Sequence, residues 1–127
     1  RASGLTGRDV EQSIVVRSMN ATELTPERFA EILPGAPRGR GLFAFNPPYG
    51  HRMQGEDGDV LQLYRDLGKT LKRFDGWRAA VIVANEGFAP AFHARPYLIK
   101  PTSAAGLRAE FMVFDLGGRQ VGKRGSF

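Results

Sequence analysis

At 127 residues the chain holds one domain or part of one, and a 42% hydrophobic fraction is too high for a disordered segment. Lysine and arginine number 18 against 13 acidic residues; the net charge of +5 fits a polyanionic partner such as RNA, and equally a basic solvated surface. There is no cysteine, which excludes disulfides, zinc–thiolate centres and thiol nucleophiles, and the longest purely apolar run, residues 79–84, is far too short to span a bilayer.

Residues 13–18, SIVVRS, are rich in β-branched side chains and predict a short strand. Residues 26–33, PERFAEIL, predict a turn or two of helix, with Thr25 as cap and Pro26 at the first position. PGAPRGRG (34–41) is a loop by its prolines and glycines, and LFAF (42–45) is an apolar run of the buried-strand kind. The clearest element spans 59–74. There Val60, Tyr64, Leu67, Leu71 and Phe74 recur at spacings of four, three, four and three along one helical face.

AAVIVA (79–84) predicts a second buried strand and GFAPAFHA (87–94) a short helix or turn. RPYLIK (95–100) and LRAEFMVFDL (107–116) predict two strands joined by a PTSAAG loop. The stretch 117–127 is a glycine-rich, basic tail expected to be flexible. Together these elements predict an α/β domain over 1–116, a mostly parallel sheet with an antiparallel C-terminal hairpin.

One corner carries chemistry. Asn46-Pro47-Pro48-Tyr49 follows strand 42–45 directly. A residue before proline is pushed into extended geometry, so Asn46 and Pro47 leave the strand stretched and stiff. The Asn46 amide oxygen and the Pro47 carbonyl are then free beside each other, two acceptors suited to an NH2 group with its two donors. Tyr49 offers a flat face on which a nucleobase can stack, and Gly50 allows close approach. Such an NH2 is a weak nucleophile because its lone pair is delocalised. Two acceptors on its hydrogens enrich the nitrogen and aim the lone pair, so transfer from an in-line methyl sulfonium needs positioning more than a strong base. The bland alternative is a turn that ends a strand, with Tyr49 packed on the domain.

These residues resemble the class I S-adenosylmethionine-dependent amino-methyltransferases, whose motif is Asn/Asp-Pro-Pro-Tyr/Phe. NPPYGHRM, LYRDLGKTLKRFDGW and AAVIVAN together resemble the THUMP-associated RNA guanine-N2 methyltransferases, of which the bacterial 23S ribosomal RNA enzymes are the most similar type. The likeness covers about residues 5–116. It implies a Rossmann-like fold, S-adenosylmethionine as cofactor, RNA as partner, a cytoplasmic setting without metal or membrane, and methylation of guanine N2. It assigns Asn46, Pro47, Pro48 and Tyr49 to the target base. Asn20 and Ala21 stand where the family has Asp-Ala at the cofactor adenine, and Asn46 also borders the cofactor.

The family's glycine-rich cofactor loop and ribose-binding acid have no counterpart in this sequence. The resemblance therefore implies the C-terminal part of a catalytic domain, lacking its first two strands and inactive alone. The missing N-terminal half, or another copy of the chain, is expected to cover the exposed strand edges. Three readings stay open beside guanine: adenine N6, a protein glutamine amide, and a non-catalytic RNA-binding or assembly module. Weaker signals yield to simpler readings. Gly68-Lys69-Thr70 lies mid-helix without the upstream glycine of a phosphate loop. Arg38 and Arg40 are read as a solvated loop, His51 as a surface residue, and Trp77 as packing for Phe74.

Overall fold

The structure is a computed structural model that describes residues 14–49 and 57–117. A one-turn 3-10 segment (Ala21–Glu23) is followed by α1 (Pro26–Ile32), β1 (Leu42–Phe45), α2 (Asp57–Leu71), β2 (Arg78–Val83), α3 (Phe88–Phe92), β3 (Leu98–Ala104) and β4 (Leu107–Asp115). The four strands form one sheet in the order β1-β2-β4-β3. β1 and β2 run parallel, and the other two pairings are antiparallel. The chain is thus a mixed α/β domain with the antiparallel C-terminal hairpin expected from the sequence.

Local chemistry explains the helices. Thr25 Oγ1 accepts from Arg28 N at 3.0 Å, and Pro26, which has no N–H to satisfy, opens α1. On α2 the four apolar positions Val60, Tyr64, Leu67 and Leu71 are all buried, and Phe74 is buried in the turn beyond. That stripe lies against Ala79, Val81 and Val83, the alternate positions of β2 that point to the same side of the sheet. Phe88 and Phe92 of α3 stack at 4.9 Å, and Phe92 meets Phe114 of β4 at 4.9 Å. Each fully buried ring contributes roughly 2–3 kcal/mol by area removed from water. A second ring cluster of Phe29, Phe43, Phe74 and Trp77 closes the opposite end of α2, as the Phe74–Trp77 pairing anticipates.

Two expectations change. Residues 14–18 form no strand, and Ile14 and Val16 are 61% and 83% exposed. β-branched side chains favour extended backbone, yet a strand also needs a neighbour to take its N–H and C=O groups, and no described strand lies beside this segment. The PTSAAG stretch is strand for its first four residues. β3 continues through Pro101 to Ala104, and the hairpin turns on Ala105-Gly106 alone, with φ of 51° and 79°. β3 is the sheet edge, where proline removes no ladder hydrogen bond that the sheet requires. Residues 118–127 of the basic tail, like Gly50 and His51, lie outside the described residues. Among the described residues no helix is long and apolar enough to cross a membrane.

Candidate active site

The corner sits where β1 ends, at the carboxyl edge of the parallel pair β1–β2. Ligands of α/β sheets gather at that edge. Asn46 is exposed, Pro47 buried, Pro48 exposed and Tyr49 half-buried against the core. Tyr49 Oη donates to Asn46 Oδ1 at 2.8 Å. The bond orients the amide and uses one of the two lone pairs on its oxygen. The Pro47 carbonyl accepts no hydrogen bond among the described residues. Both acceptors that the sequence singles out therefore keep an unused lone pair among the described residues.

The two carbonyls that follow are handled differently. Proline leaves the corner without N–H groups at 47 and 48, so its carbonyls must find donors elsewhere. Tyr64 Oη, on the buried face of α2, donates to Pro48 O. Asn85 Nδ2, two residues past β2, donates to Tyr49 O at 2.8 Å. Asn85 Oδ1 in turn accepts from Gly87 N at 2.7 Å, at the entrance to α3. A single amide thus ties the corner to the next helix. Burial pushes the Tyr64 phenol up to about 12, with Tyr49 adding to the rise and the Asn85 hydrogen bond opposing it. Tyr64 is therefore a neutral donor throughout the physiological range.

Sequence reasoning placed Tyr64 on an apolar helical face and gave Asn85 no role. Signals for both were present. A tyrosine on a core stripe carries a hydroxyl that needs a partner. Asn85 comes just after a buried strand, much as Asn46 does.

Asn20 is differently occupied. It caps the 3-10 turn that Ala21 opens, its Oδ1 accepting from Thr22 N at 3.0 Å and from Thr22 Oγ1 at 2.7 Å. That turn docks on the last turn of α2, where Thr70 Oγ1 donates to Thr22 O at 2.7 Å. The corner is held by Tyr64, six residues earlier on the same helix and about 9 Å away along its axis. No hydrogen bond joins Asn20 or Ala21 to Asn46 among the described residues. Asn46, Pro47, Pro48 and Tyr49 form one cluster, and Asn20 with Ala21 forms another.

Chemically, the cluster can hold a planar amine. It presents two carbonyl-type acceptors, an aromatic ring beside them, and a backbone held by the buried Tyr64 and the half-buried Asn85.

Residues 5–106 match the family model of the RMKL-like methyltransferase domain. The ribosomal RNA large subunit methyltransferase K/L of Allochromatium vinosum is 37% identical over 95 residues, 67% of this chain and 13% of that protein. Its namesake in Methylococcus capsulatus is 47% identical over 51 residues, 39% of this chain and 7% of that protein. The chain thus spans a small part of the length of these relatives. SMU.472, a protein named as a methyltransferase and crystallised with SAH, superposes with a TM-score of 0.68 at 20% identity, covering 90% of this chain and 28% of that one. That likeness is one of fold. On the match over residues 5–106, the chain belongs to the RMKL-like methyltransferase domain family.

Proposed function

We propose that the protein carrying this domain methylates the exocyclic N2 amine of guanine in RNA, of ribosomal origin, with S-adenosylmethionine as methyl donor. This chain supplies the amine-holding side. The observation that carries the reading is the corner itself: Asn46 Oδ1 oriented by Tyr49 Oη at 2.8 Å, beside a Pro47 carbonyl with no described partner. The names of the curated relatives support an RNA substrate. The choice of guanine rests on the likeness of the flanking segments to the guanine-N2 enzymes.

The residues act by position. Asn46 Oδ1 and Pro47 O each accept one N–H of the amine, which fixes its plane and directs the nitrogen lone pair away from the protein oxygens. Tyr49 provides the surface against which the base lies. Its hydroxyl keeps the Asn46 amide from rotating. Tyr64 and Asn85 keep the backbone from relaxing when the base enters. The nitrogen becomes acidic only as its new bond forms, so its proton leaves late, to solvent water at the exposed corner.

S-adenosylmethionine supplies an electrophilic methyl carbon. The described residues fit the amine side of that chemistry. On the donor side, Asn20 with Ala21 is the proposed adenine contact, and Asn20 Oδ1 would have to exchange its two Thr22 donors for the adenine amine. We therefore expect weak or no cofactor binding by this chain alone, with the missing part of the domain or a second copy completing the site. A cytoplasmic setting follows from a ribosomal substrate.

The test is methyl transfer from labelled S-adenosylmethionine by the full-length protein, offered ribosomal RNA, DNA and a release factor in parallel. Label on guanine N2 of RNA is the expected result. Label on adenine, or on a protein glutamine, would reassign the substrate while keeping the corner. Label on none would leave a non-catalytic module.

A further inference from the structure

A groove of about 530 Å³ runs between α2 and α3. One wall is the stripe Leu61, Arg65, Lys69 and Lys72, spaced four, four and three apart, so that all four point the same way from one helical face. Among the described residues every charged side chain on the groove is a cation, and no carboxylate lines it. A solvated helix face normally mixes signs.

The neighbouring groups leave these cations available. Among the described residues Arg65 bonds only to the neutral Gln62 Oε1, at 3.3 and 3.4 Å. Asp66, the acid beside the stripe, accepts from Gln62 Nε2 at 2.9 Å. The ion pair among the described residues lies elsewhere, between Arg78 and Asp115. Lys72 is held in place rather than neutralised: its Nζ donates to His93 O and lies 5.9 Å from the Phe92 ring centre.

Position adds to charge. The stripe runs about 16 Å from Leu61 on α2 to Lys72, the first residue past the helix. At its start Leu61 touches the Gly87 turn, whose N–H is held by Asn85, the residue that fixes the Tyr49 carbonyl. The groove therefore starts beside the amine-binding corner and leads away from it. Leu61, Pro90 and Ala91 give it apolar surface between the cations, which suits sugar faces between phosphates.

Given the RNA reading above, we propose that this groove holds the sugar–phosphate backbone of the strand flanking the target nucleotide, with Arg65 and Lys69 on successive phosphates and Lys72 at the far end. An extended polyanion fits the linear, single-sign track better than the compact acidic patch of a protein does.

The test is the salt dependence of binding of this 127-residue chain to a fluorescent single-stranded RNA oligonucleotide. Arg65 and Lys69 are exposed, so Arg65→Gln/Lys69→Gln should keep the fold, and a near-unchanged thermal midpoint checks that. Losing two phosphate contacts should flatten the log–log salt slope by about 1.4 and weaken binding roughly 10–30-fold near 0.1 M salt. The charge-keeping pair Arg65→Lys/Lys69→Arg should restore the slope. The control Arg38→Gln/Arg40→Gln, in the loop before β1, should change affinity less than about threefold.

Equal losses in the groove and control variants would overturn the proposal, since they would report net charge alone. So would an unchanged slope in the groove variant, an absence of RNA binding by the unmodified chain, or competition by poly-glutamate as effective as that by RNA. None of these outcomes touches the methyl-transfer assay, which judges the catalytic reading separately.

Discussion

The Tyr64 hydroxyl, buried on α2, donates to the carbonyl of Pro48 in the Asn46–Tyr49 corner. The pair joins residues sixteen apart in sequence and ties the diproline corner to the core. It also divides the corner in two. The carbonyls of Pro48 and Tyr49 are taken by Tyr64 and Asn85, whereas the Asn46 and Pro47 oxygens keep unused lone pairs among the described residues.

Tyr64→Phe removes that donor and leaves a carbonyl without its partner. A destabilisation of about 1–3 kcal/mol is expected, measured by urea or thermal unfolding of this chain. The variant should also change the response to alkali. Below pH 10.0 the phenol is protonated in both folded and unfolded chains, so it contributes no slope. Between pH 10.0 and about 12 the unfolded chain loses the proton first, the folded chain binds more protons, and stability falls as pH rises. The phenylalanine variant should lack that part of the decline.

Asn85 separates two roles within one amide. Asn85→Asp keeps an oxygen for Gly87 N but cannot donate to Tyr49 O. The start of α3 should survive, with the Gly87 amide still protected from hydrogen exchange, while methyl transfer by the full-length protein falls roughly 10–100-fold through a looser corner. Asn85→Ala should lose both. Wild-type turnover in the aspartate variant would show that the Tyr49 carbonyl needs no fixing.

At Gly68 the backbone of α3 packs directly on α2. A Cβ there would lie 2.3 Å from Phe92 O, a backbone atom that cannot step aside cheaply. Gly68→Ala gains helix propensity of about 1 kcal/mol yet forces α3 away from α2. A net loss of roughly 1–3 kcal/mol in thermal unfolding is expected.

The β3–β4 hairpin carries a correctable strain. Ala105 and Gly106 both have positive φ, the pattern of a two-residue primed turn that prefers asparagine first. Ala105→Asn should raise stability by about 0.5–1 kcal/mol, read as a higher unfolding midpoint, because asparagine tolerates the left-handed region better than alanine.

Much of this was legible in the sequence, for identifiable reasons. The stripe Val60, Tyr64, Leu67 and Leu71 and the run 79–84 were readable because periodicity and apolar length report burial directly. The Asn46–Tyr49 corner was readable because proline restricts its neighbours whatever surrounds them. Residues 14–18 were misread because their β-branched composition says nothing about whether a neighbouring strand is there to pair with. Pro101 hid the length of β3, since its position at the sheet edge is a fact of topology. The clamp from Tyr64 and Asn85 joins residues brought together only by the β1–α2–β2 crossover, beyond the reach of local pattern. Gly68 offers the clearest contrast. Its Gly-Lys-Thr string has the look of a phosphate loop, and its actual work is to let α3 come close.

The most direct test is Asn46→Ala in the full-length protein, assayed for methyl transfer to guanine N2 of ribosomal RNA, with thermal unfolding of the same variant as the control. Asn46 is exposed and its side chain bonds only to Tyr49 Oη among the described residues, so the unfolding midpoint should barely move while turnover falls by at least 10³-fold, about 4 kcal/mol of transition-state positioning. Turnover within a few-fold of wild type, in a variant of unchanged stability, would contradict the account.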